Sequence, residues 1–267
     1  MFPDMARRKK RAGRDRAGTP PRVPDDCRVY AVGDIHGRVD LLEALHDHIL
    51  DDAAAATAGR KVLVYLGDYV DRGPRSFDVV DMLIEAPLEG FEIVHLKGNH
   101  EDFLLRFLEA KDLGESPEEN LEEADVWFIN GGDATVQSYS VPLLTVPFGL
   151  AELESVRRAF RAALPPSHME FFQGLKRFHV EGDYLFVHAG IRPGVPLDEQ
   201  DEEDLLWIRE EFLDSDADFG HMVVHGHTPE VETDVRPNRI GIDTGAYYTD
   251  RLTCLVVEGD STRFLHT

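Results

Sequence analysis

Five short stretches of this chain carry side chains able to hold cations and move protons. They are Gly-Asp-Ile-His-Gly at 33–37, Gly-Asp-Tyr-Val-Asp-Arg-Gly at 67–73, Gly-Asn-His-Glu at 98–101, His-Ala-Gly at 188–190 and Gly-His-Thr at 226–228. Each comes at the end of a short apolar run. Carboxylate, amide and imidazole donors gathered in this way suit two divalent cations held a few ångströms apart, and such a pair activates water for attack on a phosphoester. Asp34 and His36 are one residue apart, so in an extended segment both side chains leave on the same face and can grip one ion. Mn²⁺, Fe and Zn²⁺ all accept this mixture of donors, and two Mn²⁺ ions are expected.

Periodicity indicates which elements must position these residues. Residues 27–33, 61–67 and 91–98 each read as a β-rich run ending in glycine, with helical patterns between them. Leu41, Leu42, Leu45, Ile49 and Leu50 form the apolar stripe of a first helix; Val79, Val80, Leu83 and Ile84 form that of a second. The resulting βαβαβ order puts Asp34, His36, Asp68, Asn99 and His100 at the carboxyl edge of a parallel sheet, where open α/β folds place their ligands. From about 102 to 176 the pattern turns helical and irregular, which reads as an inserted cap. Tyr184–Val187, Met222–His225, 240–243 and 252–257 are strand candidates for a second sheet, with His225 a strand residue.

The bulk properties narrow the class. A chain of 267 residues with an apolar fraction of 42% is long enough for one large α/β domain. No apolar run approaches the roughly 20 residues of a membrane helix, so no membrane partner is expected. Cys27 and Cys254 are too few for a disulfide framework, and no apolar segment follows the N-terminal charges, so a cytoplasmic location is expected. Residues 1–22 hold eight Lys or Arg against two Asp, with Gly and Pro interspersed, and read as a disordered basic tail ahead of a single domain at 23–267.

The chain as a whole carries a net charge of −23, which argues against long nucleic acids as partners, weak contact by the basic tail being the exception. The acid is clustered. Residues 101–125 hold ten Asp or Glu against Arg106 and Lys111, and residues 198–218 hold eleven against Arg209 alone. Such runs read as solvated helices or as a mouth that prefers basic phosphopeptides. Nothing in the sequence indicates an oligomeric state.

Over about 29–245 the order and wording of the five motifs resemble the phosphoprotein phosphatase family of calcineurin-like metallophosphoesterases, in particular its bacterial and phage serine/threonine protein phosphatases. The resemblance implies an α/β fold, a β-sandwich of two mixed sheets flanked by helices, with an inserted helical cap and the site at the top edge. It implies a first cation on Asp34, His36 and Asp68, with Asp68 shared, and a second on Asn99, His188 and His227. His227 rather than His225 matches the family pattern, and Pro229 stands where the wider superfamily often has a further histidine. A bridging hydroxide would then attack phosphorus in line, with His100 protonating the leaving oxygen and Asp71 orienting His100. Arg72 and Asn99 would hold the phosphate. Arg209, in Leu205-Leu206-Trp207-Ile208-Arg209, resembles the Trp-x-Arg segment of phage-type members, whose arginine binds phosphate oxygens; a planar guanidinium matches two of them at once.

These implications rank dephosphorylation of phosphoserine and phosphothreonine in protein substrates first. The alternative is hydrolysis of dinucleoside polyphosphates, because symmetrical diadenosine tetraphosphatases share the fold and most ligands. Those enzymes typically carry alanine at the position of Asp71 and aspartate at that of Glu101. An inactive binding module would have lost ligands, and none is missing.

Overall fold

In the computed structural model, which describes residues 19–109, 117–143 and 149–267, successive residues of the central strands point to opposite faces of their sheet, and both faces are covered. β1 (Cys27–Val32), β2 (Arg60–Tyr65) and β3 (Glu92–His95) run parallel, with Val29 opposite Val62 and Ala31 opposite Val64. β9 (Thr253–Glu258) and β10 (Ser261–His266) extend this sheet antiparallel, in the order β10-β9-β1-β2-β3. The second sheet has the order β4-β5-β6-β8-β7, built from β4 (Phe178–Glu181), β5 (Tyr184–Val187), β6 (Met222–His225), β7 (Asp234–Val235) and β8 (Arg239–Gly241).

The alternation divides the apolar residues into three layers. Val29, Ala31, Val62 and Val64 meet Phe186, Val224 and Ile240 between the sheets. Tyr30, Val32, Leu63 and Tyr65 face α1 (Val39–Ala54) and α2 (Ser76–Glu85) on one side, while Leu185, Val187 and Val223 face Leu205, Ile208 and Phe212 on the other. Phe186 is fully buried, and its truncation to alanine would cost about 3–5 kcal/mol. The two mixed five-stranded sheets flanked by helices agree with the expected architecture.

Differences concentrate at the edges. β4, β7 and β10 are edge strands that the sequence reading did not separate, because their exposed faces carry polar residues and the apolar signal is thin. In α1 the expected stripe is buried at Leu41, Leu42, Leu45 and Ile49, but Leu50 is exposed, one step off the packed face. Between β3 and β4 lie α3 (Asn99–Glu109), α4 (Pro117–Trp127), α5 (Asp133–Ser138), α6 (Leu150–Ala163) and α7 (Pro166–Gln173). The expected cap therefore corresponds to helices there, as far as described. Most of the basic tail lies outside the described residues. No described helix is long and apolar enough to cross a membrane.

The two central parallel runs determine where chemistry can occur. β1, β2 and β3 end just before Asp34, Asp68 and Asn99, and β5, β6 and β8 end just before His188, His227 and Asp243. All six ends share one edge of the sandwich.

Candidate active site

Asp68 is the common member of two groups of close donors, His36 with Asp68 and His100, and Asp68 with His188 and His227. Its Oδ1 lies 3.4 Å from His188 Nε2 and its Oδ2 lies 3.5 Å from His36 Nε2, so the two carboxylate oxygens turn toward different imidazoles. Burial works against its charge, but the surrounding imidazoles, His188 foremost, outweigh burial and hold it below the usual carboxylate range.

The imidazoles are oriented from behind. His36 Nδ1 donates to the Val70 carbonyl at 2.8 Å and His188 Nδ1 to the Leu66 carbonyl at 2.9 Å, which leaves both Nε2 atoms as acceptors facing Asp68. Burial lowers the proton affinity of His36, His188 and His227, so their lone pairs are available. Asn99 Oδ1 sits 2.8 Å from His188 Nε2 and 2.9 Å from His227 Nδ1, directing three donor atoms into one space.

Asp34 approaches from the opposite side. Its Oδ2 accepts the His227 backbone N–H at 3.0 Å, while its buried Oδ1 has no hydrogen-bond partner. Burial, then the charges of Asp243 and Asp68, raise its carboxyl. Asp243 is itself pushed up to about 6, by burial first, with the charge of Asp68 adding to it. Three carboxyls crowded beside neutral imidazoles, one with an orphaned oxygen, fit a site for divalent cations.

His100 and Asp71 form a separate pair. His100 Nδ1 donates to Asp71 Oδ2 at 2.6 Å, which directs Nε2 toward Asp68 at 3.9 Å. Trp127 Nε1–H also donates to Oδ2 at 2.9 Å, and the Thr135 hydroxyl to Oδ1 at 2.6 Å. The helices after β3 thus reach down to hold Asp71. Arg72 Nη1 donates to His36 Nε2 at 2.9 Å, and Arg209 Nη1 donates to Thr228 Oγ1 at 3.0 Å, beside His227. The structure brings every predicted site residue to this one edge.

The local backbone is unusual. His36, Asp68, Asp71, Arg72 and His227 all have positive φ, between 47° and 72°; among the described residues only Ser140 and Asp250 are other non-glycine examples. Each such residue costs roughly 1–3 kcal/mol and persists only when its surroundings over-determine it. Glycine is needed next to them: a Cβ on Gly98 would lie 2.4 Å from the Asp68 backbone nitrogen, and one on Gly131 2.5 Å from that of Arg72.

Residues 27–254 match the sequence profile of the calcineurin-like phosphoesterase family. The chain belongs to the calcineurin-like phosphoesterase family. Its members use divalent metals, and the two donor groups around Asp68 fit that use. Among curated relatives, the asymmetrical bis(5'-nucleosyl)-tetraphosphatase PrpE of Anoxybacillus flavithermus is 25% identical over 254 residues, covering 84% of this chain and 88% of its own. That of Bacillus subtilis is 23% identical over 83% and 87%. Among solved structures, one provisionally assigned as a diadenosine tetraphosphatase superposes with a TM-score of 0.56 at 22% identity over 90% and 93% of the two chains. A cold-active protein-tyrosine phosphatase of a psychrophilic Shewanella gives 0.52 at 16% identity over 91% and 83%. Both structural likenesses are likenesses of fold.

Four residues of this phosphoesterase that help to build the site were given no place in it from the sequence, where Glu101 served only to separate two substrate classes. Glu101 accepts backbone N–H groups from Asp68 at 2.9 Å, Tyr69 at 2.8 Å, Val70 at 3.3 Å and Gly98 at 3.0 Å, tying the second and third motifs together. Trp127 and Thr135 hold Asp71, and Asp243 joins Asp34. Within Gly131-Gly132-Asp133-Ala134-Thr135 it is Thr135 that reaches the site. Only Glu101 carried a usable signal, an acid in the first turn of a helix beside free amides.

Proposed function

We propose that this phosphoesterase hydrolyses dinucleoside polyphosphates. The observation that carries the reading is the match to asymmetrical bis(5'-nucleosyl)-tetraphosphatases across most of both chains. It reverses the order the sequence suggested, and two physical reasons favour the change. Asp71 and Glu101, the residues that had spoken for a protein phosphatase, spend their oxygens on Trp127, Thr135, His100 and four backbone amides. They support the architecture of the loops more than the choice of substrate. The acidic runs are also partly neutralised by cations from elsewhere in the chain: Lys97 bridges Asp102 and Glu202, and Arg192 bridges Asp204 and Glu211.

In this reading Asp34, His36 and Asp68 hold one divalent cation and Asp68, Asn99, His188 and His227 the other, with Mn²⁺ the proposed ion. When bound, the pair supplies an activated water and neutralises developing charge on phosphate oxygens. Arg72 and Arg209 bind phosphate oxygens from opposite ends of the row, Asn99 assists, and His100, oriented by Asp71, donates a proton to the departing oxygen. The buried free thiols Cys27 and Cys254 are consistent with a reducing, cytoplasmic setting.

A second reading, dephosphorylation of phosphoserine or phosphothreonine in proteins, is favoured by the His100–Asp71 pair. A serine alkoxide is a poor leaving group and needs a proton, whereas a phosphate leaving from an anhydride needs it less. The test is kcat/KM of the Mn²⁺-loaded protein for diadenosine tetraphosphate and for a phosphothreonine peptide, with and without His100→Asn. Preference for the dinucleotide supports the proposal. Preference for the peptide, lost in the variant, would sink it in favour of the second reading.

A further inference from the structure

An arginine and an aromatic ring stand at each end of the donor row. Tyr247, in the short helix Ala246–Thr249, has its ring centroid 5.6 Å from that of His36 and lies under the Arg72 guanidinium at 4.9 Å. It is 38% exposed, and its neighbour Tyr248 is 52% exposed. At the other end Trp207 closes α8 (Glu202–Trp207), 5.9 Å from the His227 ring and 4.9 Å from Phe103, with Arg209 two residues on. His36 and His227 belong to different donor groups that share only Asp68. Neither Tyr247 nor Trp207 joins any of the three apolar clusters, although Ala246, Leu205 and Ile208 beside them do. Tyr247 remains exposed beside Arg72, and Trp207, edge to face with Phe103, remains partly exposed.

We infer that Tyr247 and Trp207 are stacking stations for the two bases of a dinucleoside polyphosphate whose phosphates lie along the row between them. The inference rests on the substrate reading above and sharpens it. A phosphate chain with a base at each end asks for a cation in the middle, a guanidinium at each flank and a π-face beyond each guanidinium. Here Tyr247 and Arg72 both lie against His36 at one end, Asp68 is the shared donor, and Arg209 and Trp207 each lie against His227 at the other. An inorganic polyphosphate has no base to stack on either ring. Stacking a base on an aromatic ring tolerates any base, so the stations select for nucleotides and not for a particular one.

The experiment compares kcat/KM for diadenosine tetraphosphate with that for inorganic tripolyphosphate, which has no base. In Tyr247→Leu and in Trp207→Leu the ratio should fall about five- to hundredfold, as expected for losing one stacked base. It should be retained in Tyr247→Phe and Trp207→Phe, which keep a ring. A separate readout is tryptophan emission: adenosine 5′-tetraphosphate should quench it and tripolyphosphate should not, with the effect gone in Trp207→Phe, since Trp127 is buried. An unchanged ratio in both leucine variants, or equal losses on the two substrates, would overturn the stations while leaving the substrate reading intact. A wild-type protein that cleaves tripolyphosphate but not diadenosine tetraphosphate would overturn the substrate reading, and the stations with it.

Discussion

His100 and Asp71 meet at 2.6 Å in a buried space where a second donor, Trp127, competes for the same carboxylate oxygen. Burial alone would lower His100, but the charge of Asp68 and the bond to Asp71 prevail and its proton affinity is raised. The protonated form is thus favoured in the folded protein. Its contribution to stability is fully present below the ordinary histidine value of ~6.5 and fades as pH rises through the raised one. Activity that needs the proton should fail on the same alkaline side. Asp71→Asn is expected to move the alkaline limb of the kcat/KM profile to lower pH and to cut the rate on a phosphomonoester about 10²- to 10⁴-fold. A limb that does not move would separate Asp71 from His100.

Asp68 serves both donor groups, and the other ligands serve one each. Asp68→Asn should therefore lose both cations, whereas His188→Ala should lose only one, as counted by elemental analysis of metal per chain. A cation that binds only the native chain adds about 2.7 kcal/mol at a hundred times its dissociation constant. Adding Mn²⁺ after chelation should raise the melting temperature of the wild type and leave that of Asp68→Asn where it was.

Glu101 holds four amides from two loops, and an amide side chain in its place would point donors at donors. Glu101→Gln is expected to lower stability by about 2–3 kcal/mol, measured in urea, and to weaken metal binding although Glu101 is not proposed as a ligand. Unaltered metal affinity would show that the loops keep their places without it.

Gly131 combines a φ of 103° with contact to the Arg72 backbone. Gly131→Ala should push Arg72 away from the phosphate, raising KM about tenfold with a smaller change in kcat. A change in kcat alone would place the damage at His100 instead.

His46 and His95 are each lowered to about 4, chiefly by burial. Their neutral forms are favoured in the fold, so the unfolded chain takes up protons first as pH falls below ~6.5. Each should remove about 2 kcal/mol of stability between pH 7 and pH 5. Urea unfolding at the two pH values, in wild type and in His95→Gln, measures the difference; equal stability at both would refute it.

The central strands and the candidate donor residues were legible because they are local signals: a β-branched run, a glycine, then a donor. Asp34, His36, Asp68, Asn99, His188 and His227 could be picked out one motif at a time. Trp127 and Thr135 could not, since each is 56 or more positions from Asp71 and their hydrogen bonds depend on how distant helices pack. The charge windows misled for a related reason. Counting 198–218 by itself left Arg209 as the sole cation, while Arg192 and Lys97, outside the window, fold back onto it. The edge strand β7 is only two residues long and left no periodicity to read.

The five left-handed backbones at His36, Asp68, Asp71, Arg72 and His227 also bear on how such an enzyme can adapt to heat. Their combined strain is roughly 5–15 kcal/mol, comparable to the whole folding free energy of a typical domain. Glycine at Asp71 would relieve one share, but it would leave the Trp127, Thr135 and His100 donors buried without their acceptor at about 1–3 kcal/mol each, so the strain is not shed there at a gain. A lineage moving to hotter surroundings is therefore expected to gain stability in the sheets and outer helices and to leave the left-handed backbones of the candidate site as they are.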